Sequence, residues 1–242
     1  MNNDCTSFIR DLKEFQIEIS EEQTKQFLAY YELLTEWNSF MNLTAITEFN
    51  EVMKKHFVDS LSLIKAVPDI NEKSYSLIDV GTGAGFPGIP LKIMFPSIKV
   101  VLLDSLNKRI SFLNEVIDKL ELKDIQAFHG RAEDYAKQKE YRENFDMCVS
   151  RAVANLSTLF KYCLPFVKKG GYFISYKSDK VTEEFEHAGK AIKTLGGVYQ
   201  SQVEFYLPNS DIYRNLFIIK KENTTPGKYP RKAGLPSKEP IM

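Results

Sequence analysis

The segment Leu77-Ile78-Asp79-Val80-Gly81-Thr82-Gly83-Ala84-Gly85-Phe86-Pro87-Gly88-Ile89-Pro90-Leu91 leaves this chain few folds to choose from. A short apolar run carries an acid near its end, glycines follow at every second position, and an apolar helix-like stretch comes next. That order reads as a strand, a tight turn and a helix start, the first unit of an open α/β sheet. Glycine suits the turn because the chain must reverse with positive φ and let a ligand lie against bare backbone. Amides at the start of the next helix suit a polar or anionic ligand group.

The dinucleotide fingerprint is Gly-x-Gly-x-x-Gly. Here the third glycine comes one residue early (Gly81, Gly83, Gly85), and Phe86 fills the last place. Asp79 stands two residues before the first glycine, where nicotinamide folds usually carry an apolar residue. Acid-x-Gly-x-Gly-x-Gly resembles motif I of the S-adenosylmethionine (SAM) methyltransferases, whose cofactor has an amino-acid end rather than a pyrophosphate. A nicotinamide or flavin site and a glycine turn without a ligand are the competing readings.

At 242 residues the chain is long enough for one α/β domain with an appendage. With 43% apolar and 26% charged residues it reads as an ordinary soluble globular protein. No apolar run approaches a membrane span, and a basic-then-apolar signal segment is not expected at the N-terminus. Cys5, Cys148 and Cys163 are odd in number and widely separated, suggesting neither a disulfide framework nor a zinc site, so a reducing cytoplasm fits. His56, His129 and His187 are isolated from one another and from the cysteines, so no metal is expected.

The formal net charge is zero, but its distribution is uneven. Residues 1–75 carry 7 Lys/Arg against 13 Asp/Glu. From Lys220 onward Lys220, Lys221, Lys228, Arg231, Lys232 and Lys238 face only Glu222 and Glu239. Such a tail is either a solvated end or an RNA contact, depending on what the core does.

Ser20-Glu21-Glu22-Gln23 has the form of a capping box. After it Phe27, Tyr30, Tyr31, Leu34, Trp37 and Met41 fall at helical spacing and form a packing stripe. A shorter helix is expected around Ser7 to Phe15, and another from about Glu48 to Val67 with Val52, Met53, Phe57, Leu61 and Ile64 inward. Pro68 ends it. From Ser76 the rhythm becomes strands alternating with helices, a parallel sheet with right-handed crossovers. Strands are expected at Ser76–Val80, Lys99–Leu103, Ile125–His129, Phe145–Ser150 and Tyr172–Tyr176, the last after a Lys169-Gly170-Gly171 turn. Helices are expected at about Lys108–Leu120 and Val181–Leu195. Val198–Tyr206 and Arg214–Lys220, joined at Pro208-Asn209-Ser210-Asp211, should form an antiparallel hairpin. The fold class is therefore α/β: a Rossmann-like seven-stranded sheet of the SAM methyltransferase kind, mostly parallel, with an N-terminal helical extension. The expected division is 1–70 for that extension, packed at the sheet edge, 71–222 for the methyltransferase domain and 223–242 for an irregular basic tail.

Ligands of open sheets bind beyond the carboxyl ends of the strands, where strand order reverses. Asp104 lies some twenty residues past the glycine turn, the usual place for an acid that bonds ribose hydroxyls, though it could equally cap the following helix. Gly130-Arg131-Ala132-Glu133-Asp134 could hold an adenine through an amide and an acid, with Arg131 at the mouth. Ser150-Arg151-Ala152-Val153 occupies the place of the Asn-Pro-Pro-Tyr motif of amino methyltransferases. A pyrimidine C5 needs a thiol nucleophile, and neither Cys148 nor Cys163 has the Pro-Cys setting of one. Guanine N7 needs no general base, because its lone pair is already exposed and catalysis reduces to in-line positioning. An arginine forked onto O6 and N7 would block that nucleophile. Arg151, the best positioning candidate, should therefore bind O6, a phosphate or the cofactor carboxylate, or else form a salt bridge.

Several further stretches carry a resemblance to a known family. They are Trp37-Asn38, Asn42-Leu43-Thr44-Ala45-Ile46, His56-x-x-Asp59-Ser60-Leu61, Phe86-Pro87-Gly88-Ile89-Pro90-Leu91 and Leu103-Asp104-Ser105 with Lys108-Arg109. Gly130 to Asp134, Ser150 to Ala154 and Lys228-Tyr229-Pro230-Arg231-Lys232-x-Gly234-x-Pro236-x-Lys238 complete the set. Together they resemble the bacterial RsmG family, also known as GidB. The resemblance implies SAM-dependent methylation, with S-adenosyl-L-homocysteine as product, at N7 of one guanine of 16S rRNA, position 527 in the usual count. It implies cofactor contacts at Gly81, Phe86, Ala132, Glu133 and Arg151, to which the glycine turn adds Gly83 and Gly85, and the strand end Asp104. Arg131, Lys177, Arg214, Lys228, Arg231 and Lys232 would then hold phosphates of 16S rRNA or of an assembling small subunit. A small-molecule or protein methyltransferase on the same fold, and a SAM-binding RNA assembly factor without turnover, remain as alternatives.

Overall fold

Ser76–Val80 forms β1, whose apolar run follows from its place between β2 (Lys99–Asp104) and β4 (Phe145–Ser150). It pairs in parallel with both, so both of its faces are covered. The computed structural model describes residues 4–151, 155–178 and 189–231. Within them β3 (Ile125–His129), β2, β1, β4, β5 (Val167–Lys177), β7 (Tyr213–Lys221) and β6 (Gly197–Tyr206) form one sheet in that order. The first five strands are parallel, and β7 runs antiparallel to both β5 and β6. This is the expected seven-stranded sheet with its terminal hairpin.

One strand begins earlier than its residues suggest. β5 starts at Val167, so Lys169-Gly170-Gly171 lies inside it rather than forming a turn before it. Phe145 pairs with Val167 and Met147 with Tyr172, a shift in register that absorbs the extra residues. Gly170 takes φ +87°, and the glycines make an irregularity within the strand.

The two faces of the sheet are covered by different parts of the chain. α5 (Gly88–Met94) and α6 (Asn107–Lys119) pack on one face, and α8 (Leu156–Cys163) with helical residues 189–194 on the other. The crossovers after β4 and β5 thus leave the first face of β5 and β7 without a helix of its own. The N-terminal helices fill that gap, burying Phe8, Phe27 and Phe57 in one cluster with Ile174, Tyr176, Leu216 and Ile218. They lie over a face of the sheet, not at its edge, because that face offered unburied apolar area.

α1 (Thr6–Glu14) and α2 (Glu21–Met41) come first. The capping box forms: Gln23 N–H donates to Ser20 Oγ at 3.1 Å and Ser20 N–H to Gln23 Oε1 at 3.0 Å. Phe27, Tyr30 and Leu34 of the expected stripe are buried and Leu33 joins them, while Tyr31, Trp37 and Met41 are half-buried. The next helical run is not uniform. α3 (Phe49–Val52) widens into a π-helix over Met53–Val58, and α4 (Asp59–Leu61) then tightens into a 3₁₀ turn over Ser62–Lys65. The register slips accordingly, so Leu63 is buried where Ile64 was expected to be. Single π turns within α-helices are frequent at functional sites.

The helix expected over Val181–Leu195 falls partly outside the described residues. Residues 223–231 have no regular secondary structure, as expected, yet they are tied down. Arg142 donates from Nη1 to the Tyr229 carbonyl at 2.8 Å and from Nη2 to that of Thr225 at 2.7 Å. Among the described residues no helix is long and apolar enough to cross a membrane.

Candidate functional site

A cavity of about 720 Å³ opens beyond the carboxyl ends of β1, β2 and β4, where the strand order reverses. The glycine turn lines it, held to the sheet by Gly81 N–H donating to the Leu103 carbonyl at 2.8 Å. Gly81, Gly83 and Gly85 all have positive φ, at +74°, +62° and +94°. Their surroundings differ. A Cβ on Gly83 would meet open space, whereas one on Gly85 would lie 2.6 Å from both Ile89 Cδ1 and the Tyr30 hydroxyl. Gly81, Gly83 and Phe86 line the cavity and Gly85 does not; its bareness makes room for Tyr30, which donates to the Ala84 carbonyl.

Asp79 props the turn from beneath. Its Oδ2 accepts from Thr82 Oγ1 at 2.7 Å and from Gly88 N–H at 2.9 Å, while Oδ1, fully buried, has no partner among the described residues. Burial pushes its carboxyl up to about 6. Asp104, at the end of β2, accepts from Gly83 N–H at 2.9 Å through Oδ2 and from Leu106 N–H at 2.9 Å through Oδ1. Arg109 Nη1 adds a bond at 3.1 Å. Asp104 thus lines the cavity and also holds the turn into α6, but it does not cap that helix, whose N-cap Leu106 has no side-chain cap bond. After β3, Arg131 is exposed at the rim, and α7 (Ala132–Tyr135) presents Ala132 and the buried Glu133 to the cavity.

The rest of the wall comes partly from the N-terminal extension. Leu43, Thr44 and His56 line the cavity with Phe86 and Arg151. His56, from the π-helix, stacks on Phe86 with ring centroids 4.5 Å apart and planes 12° from parallel. Arg151 Nη1 donates to Asp59 Oδ2 at 2.9 Å, its Nη2 to His56 Nδ1 at 3.3 Å, and the guanidinium lies 5.0 Å from the Phe86 ring centroid. Arg214 Nε donates to the other oxygen of Asp59 at 2.7 Å, so one buried carboxylate joins two arginines. Burial, and then the charge of Arg151, pushes His56 down to about 3, which keeps the ring neutral.

Of the other candidate phosphate contacts, Lys177 ends β5 half-buried, Lys228 is exposed and Arg231 half-buried; none lines the cavity, and neither does Arg214. Lys228 and Arg231 both lie over the Tyr229 ring, at 5.4 and 5.7 Å. Lys232 lies outside the described residues. Cys148 and Cys163 are fully buried and away from the cavity. Sequence reasoning gave no site role to Tyr30, Thr44, His56 or Asp59. The i, i+3 spacing of His56 and Asp59 on one helix was a signal for two of them.

A sheet of this order, with a glycine turn after β1 and an acid closing β2, defines a Rossmann-like methyltransferase. The fold is shared with solved structures of low sequence identity. One is a chain of the complex between the Haloferax volcanii Trm112 methyltransferase activator and a methyltransferase (TM-score 0.56, 14% identity, 78% of this chain and 97% of that one). Another is M. jannaschii TYW2 in complex with AdoMet (TM-score 0.50, 14% identity, 66% and 74%). The chain belongs to the GidB family, described as rRNA small subunit methyltransferase G, whose model matches residues 23–213. The "Ribosomal RNA small subunit methyltransferase G" of Lachnoclostridium phytofermentans is 56% identical over 239 residues, 99% of this chain and 98% of its own length. That of Acetivibrio thermocellus is 55% identical over 227 residues, 94% and 92%. The chain is therefore an enzyme of the methyltransferase class, and the nicotinamide reading falls away.

Proposed function

We propose that this chain transfers a methyl group from SAM to N7 of one guanine in 16S rRNA, position 527 in the usual count. The observation that carries the reading is the state of the imidazole on the cavity wall. His56 is held neutral, its Nδ1 accepts from Arg151 and its Nε2 lies 2.8 Å from Thr44 Oγ1, so neither nitrogen is free to take a proton from a substrate. Cys5, Cys148 and Cys163 are all buried and none lines the cavity, so no thiol is in place as a nucleophile among the described residues. These features suit an acceptor that needs no deprotonation, as N7 does.

The cavity fits the cofactor. Its glycine turn leaves open space above Gly83, and Asp104 and Glu133 supply acids at two of its walls. When bound, SAM supplies a methyl group on a sulfonium, an electrophile that needs a lone pair in line with it. Gly81, Gly83 and Phe86 would hold its amino-acid portion, Asp104 its ribose hydroxyls, and Ala132 and Glu133 its adenine. Gly85 would serve from behind the turn. Arg151 would position the wall through His56 and Asp59.

Arg131, Lys177, Lys228, Arg231 and Lys232 would hold phosphates around the mouth. Arg214 is the weakest of that group, since its Nε already holds Asp59. The target base must leave its stack to enter the cavity, which favours a single-stranded loop of 16S rRNA or of an assembling small subunit in the cytoplasm. Residues 1–70, 71–222 and 223–242 would act as cleft wall, catalytic domain and RNA-binding tail. Deleting the gene should remove one 7-methylguanine from small-subunit rRNA, read by borohydride–aniline cleavage. Unchanged cleavage would refute the assignment. Methyl transfer to metabolites but not rRNA would favour a small-molecule enzyme, and rRNA binding without transfer an assembly factor.

A further inference from the structure

Thr44 lies on the cavity wall, with its backbone N–H donating to Asn38 Oδ1 at 2.9 Å and its hydroxyl oxygen 2.8 Å from His56 Nε2. The direction of that last bond follows from its neighbours. A guanidinium only donates, so the 3.3 Å bond from Arg151 Nη2 requires His56 Nδ1 to carry no proton. The ring's proton is then on Nε2, and it is donated to Thr44 Oγ1. The backbone N–H of Ile46 donates to the same oxygen at 3.1 Å. Both lone pairs of the hydroxyl are thereby used, and its own proton has no acceptor among the described residues. A threonine hydroxyl ordinarily gives or takes a hydrogen bond. This one can only give.

We propose that the Thr44 hydroxyl reads the target base, donating to guanine O6 and rejecting adenine, whose amine at the same place is itself a donor. The proposal rests on the guanine-N7 reading and deepens it. O6 and N7 share one edge of the base. An arginine fork would occupy both and block the nucleophile, whereas a hydroxyl makes one bond to O6 and leaves the N7 lone pair exposed. Charge favours the same choice. Methylation at N7 leaves the ring cationic, and a guanidinium bonded directly to the base would oppose that charge. Here the positive charge of Arg151 faces Asp59, and what reaches the base is a neutral donor at the end of an Asp59–Arg151–His56–Thr44 chain. A site that holds a saturated donor for a substrate carbonyl discriminates well, because the wrong base leaves buried polar groups unpaired.

The test compares Thr44→Val, which keeps the shape but removes both the donor and the oxygen that accepts from His56 and Ile46, with Thr44→Ser, which keeps both. The substrate is 16S rRNA built by ligation, naked and as reconstituted subunits, carrying at the target either guanosine or 2-aminopurine riboside, a guanine without O6. Single-turnover methyl transfer and calorimetric SAM affinity are measured for each. On guanosine, Thr44→Val should slow transfer about tenfold to a hundredfold, the cost of an unpaired buried group, and Thr44→Ser should restore most of it. SAM affinity should be unchanged. On 2-aminopurine the wild type should slow by a similar factor, and the further loss on Thr44→Val should be much smaller than its loss on guanosine, limited to the cost of stranding the His56 and Ile46 donors. Equal losses on both bases would mean that Thr44 only holds its loop and would overturn the proposal, as would no loss on guanosine. If the wild type methylates no guanine N7, the underlying reading fails, a result distinct from wild-type transfer that Thr44→Val leaves intact.

Discussion

Tyr30, midway along the long N-terminal helix, donates its hydroxyl proton to the carbonyl of Ala84 in the glycine turn. The phenol is fully buried, and burial raises its pKa well above the ordinary value, so it remains a donor. Its ring stacks on Phe57 at 5.2 Å and lies 5.5 Å from Phe86. The turn is therefore shaped partly by a residue outside the sheet. Tyr30→Phe keeps the ring and strands the Ala84 carbonyl, which should cost about 1–3 kcal/mol of stability. SAM affinity should fall as well, because the loosened turn forms the cavity wall. Chemical denaturation and calorimetry check the two parts, and unchanged values in both would disprove the coupling.

Gly83 and Gly85 should separate binding from folding. Gly83→Ala places its Cβ in the open space of the cavity, so SAM affinity should drop sharply. Its stability should fall by only about 1–2 kcal/mol, from the positive φ. Gly85→Ala would press a methyl group against Ile89 and the Tyr30 hydroxyl, so its main loss should be stability. Thermal melts with and without SAM distinguish the two; a Gly83→Ala protein that SAM stabilises as it does the wild type would contradict the assignment.

Much of this frame was legible because each signal was local. β1, β3 and β4 occupy the expected residues, since each is a short apolar run that ends in a polar residue or a turn. β5 was harder: Gly170-Gly171 signals a turn, yet the strand runs on through them between Val167, paired with Phe145, and Tyr172, paired with Met147. Helical spacing likewise did not reveal the π turn at Met53–Val58, because an inserted residue changes the register without changing composition. On the cavity wall Asp104, Ala132 and Glu133 were found from their places after strands. Thr44 and His56 were not, nor was Asp59 behind Arg151, because all three precede the sheet and reach it only when the extension covers its face. Arg151 was identified, but its pairing with Asp59 depends on that same packing.

Asp79 should make stability fall with rising pH. Its carboxyl moves from the ordinary 3.8 up to about 6 in the fold, chiefly through burial. Between those values the folded state holds a proton that the unfolded chain has lost. The contribution is fully present below pH 3.8 and is lost as pH rises through about 6, on the order of 3 kcal/mol in all. Asp79→Asn removes the titration. The unfolding free energy of the wild type minus that of the variant should therefore decline between pH 4 and pH 7. Denaturant titrations across that window would show it, and a difference that stays flat would rule it out.

Arg231 and Lys232 should act on RNA and not on the cofactor. Tyr229 is buried and its carbonyl is held by Arg142, which keeps Arg231 in place beside the Tyr229 ring. Arg231 does not line the cavity. Each phosphate neutralised on a single strand contributes about 0.7 to the slope of log affinity against log salt. Replacing both residues with glutamine should make the slope shallower by about 1.4 if each holds one phosphate. Affinity for 16S rRNA should fall most at low salt, where released counterions favour binding most. Calorimetric SAM affinity should be unaltered. The measurement is rRNA binding across a salt series for both proteins; parallel lines would remove the tail from the RNA-binding surface.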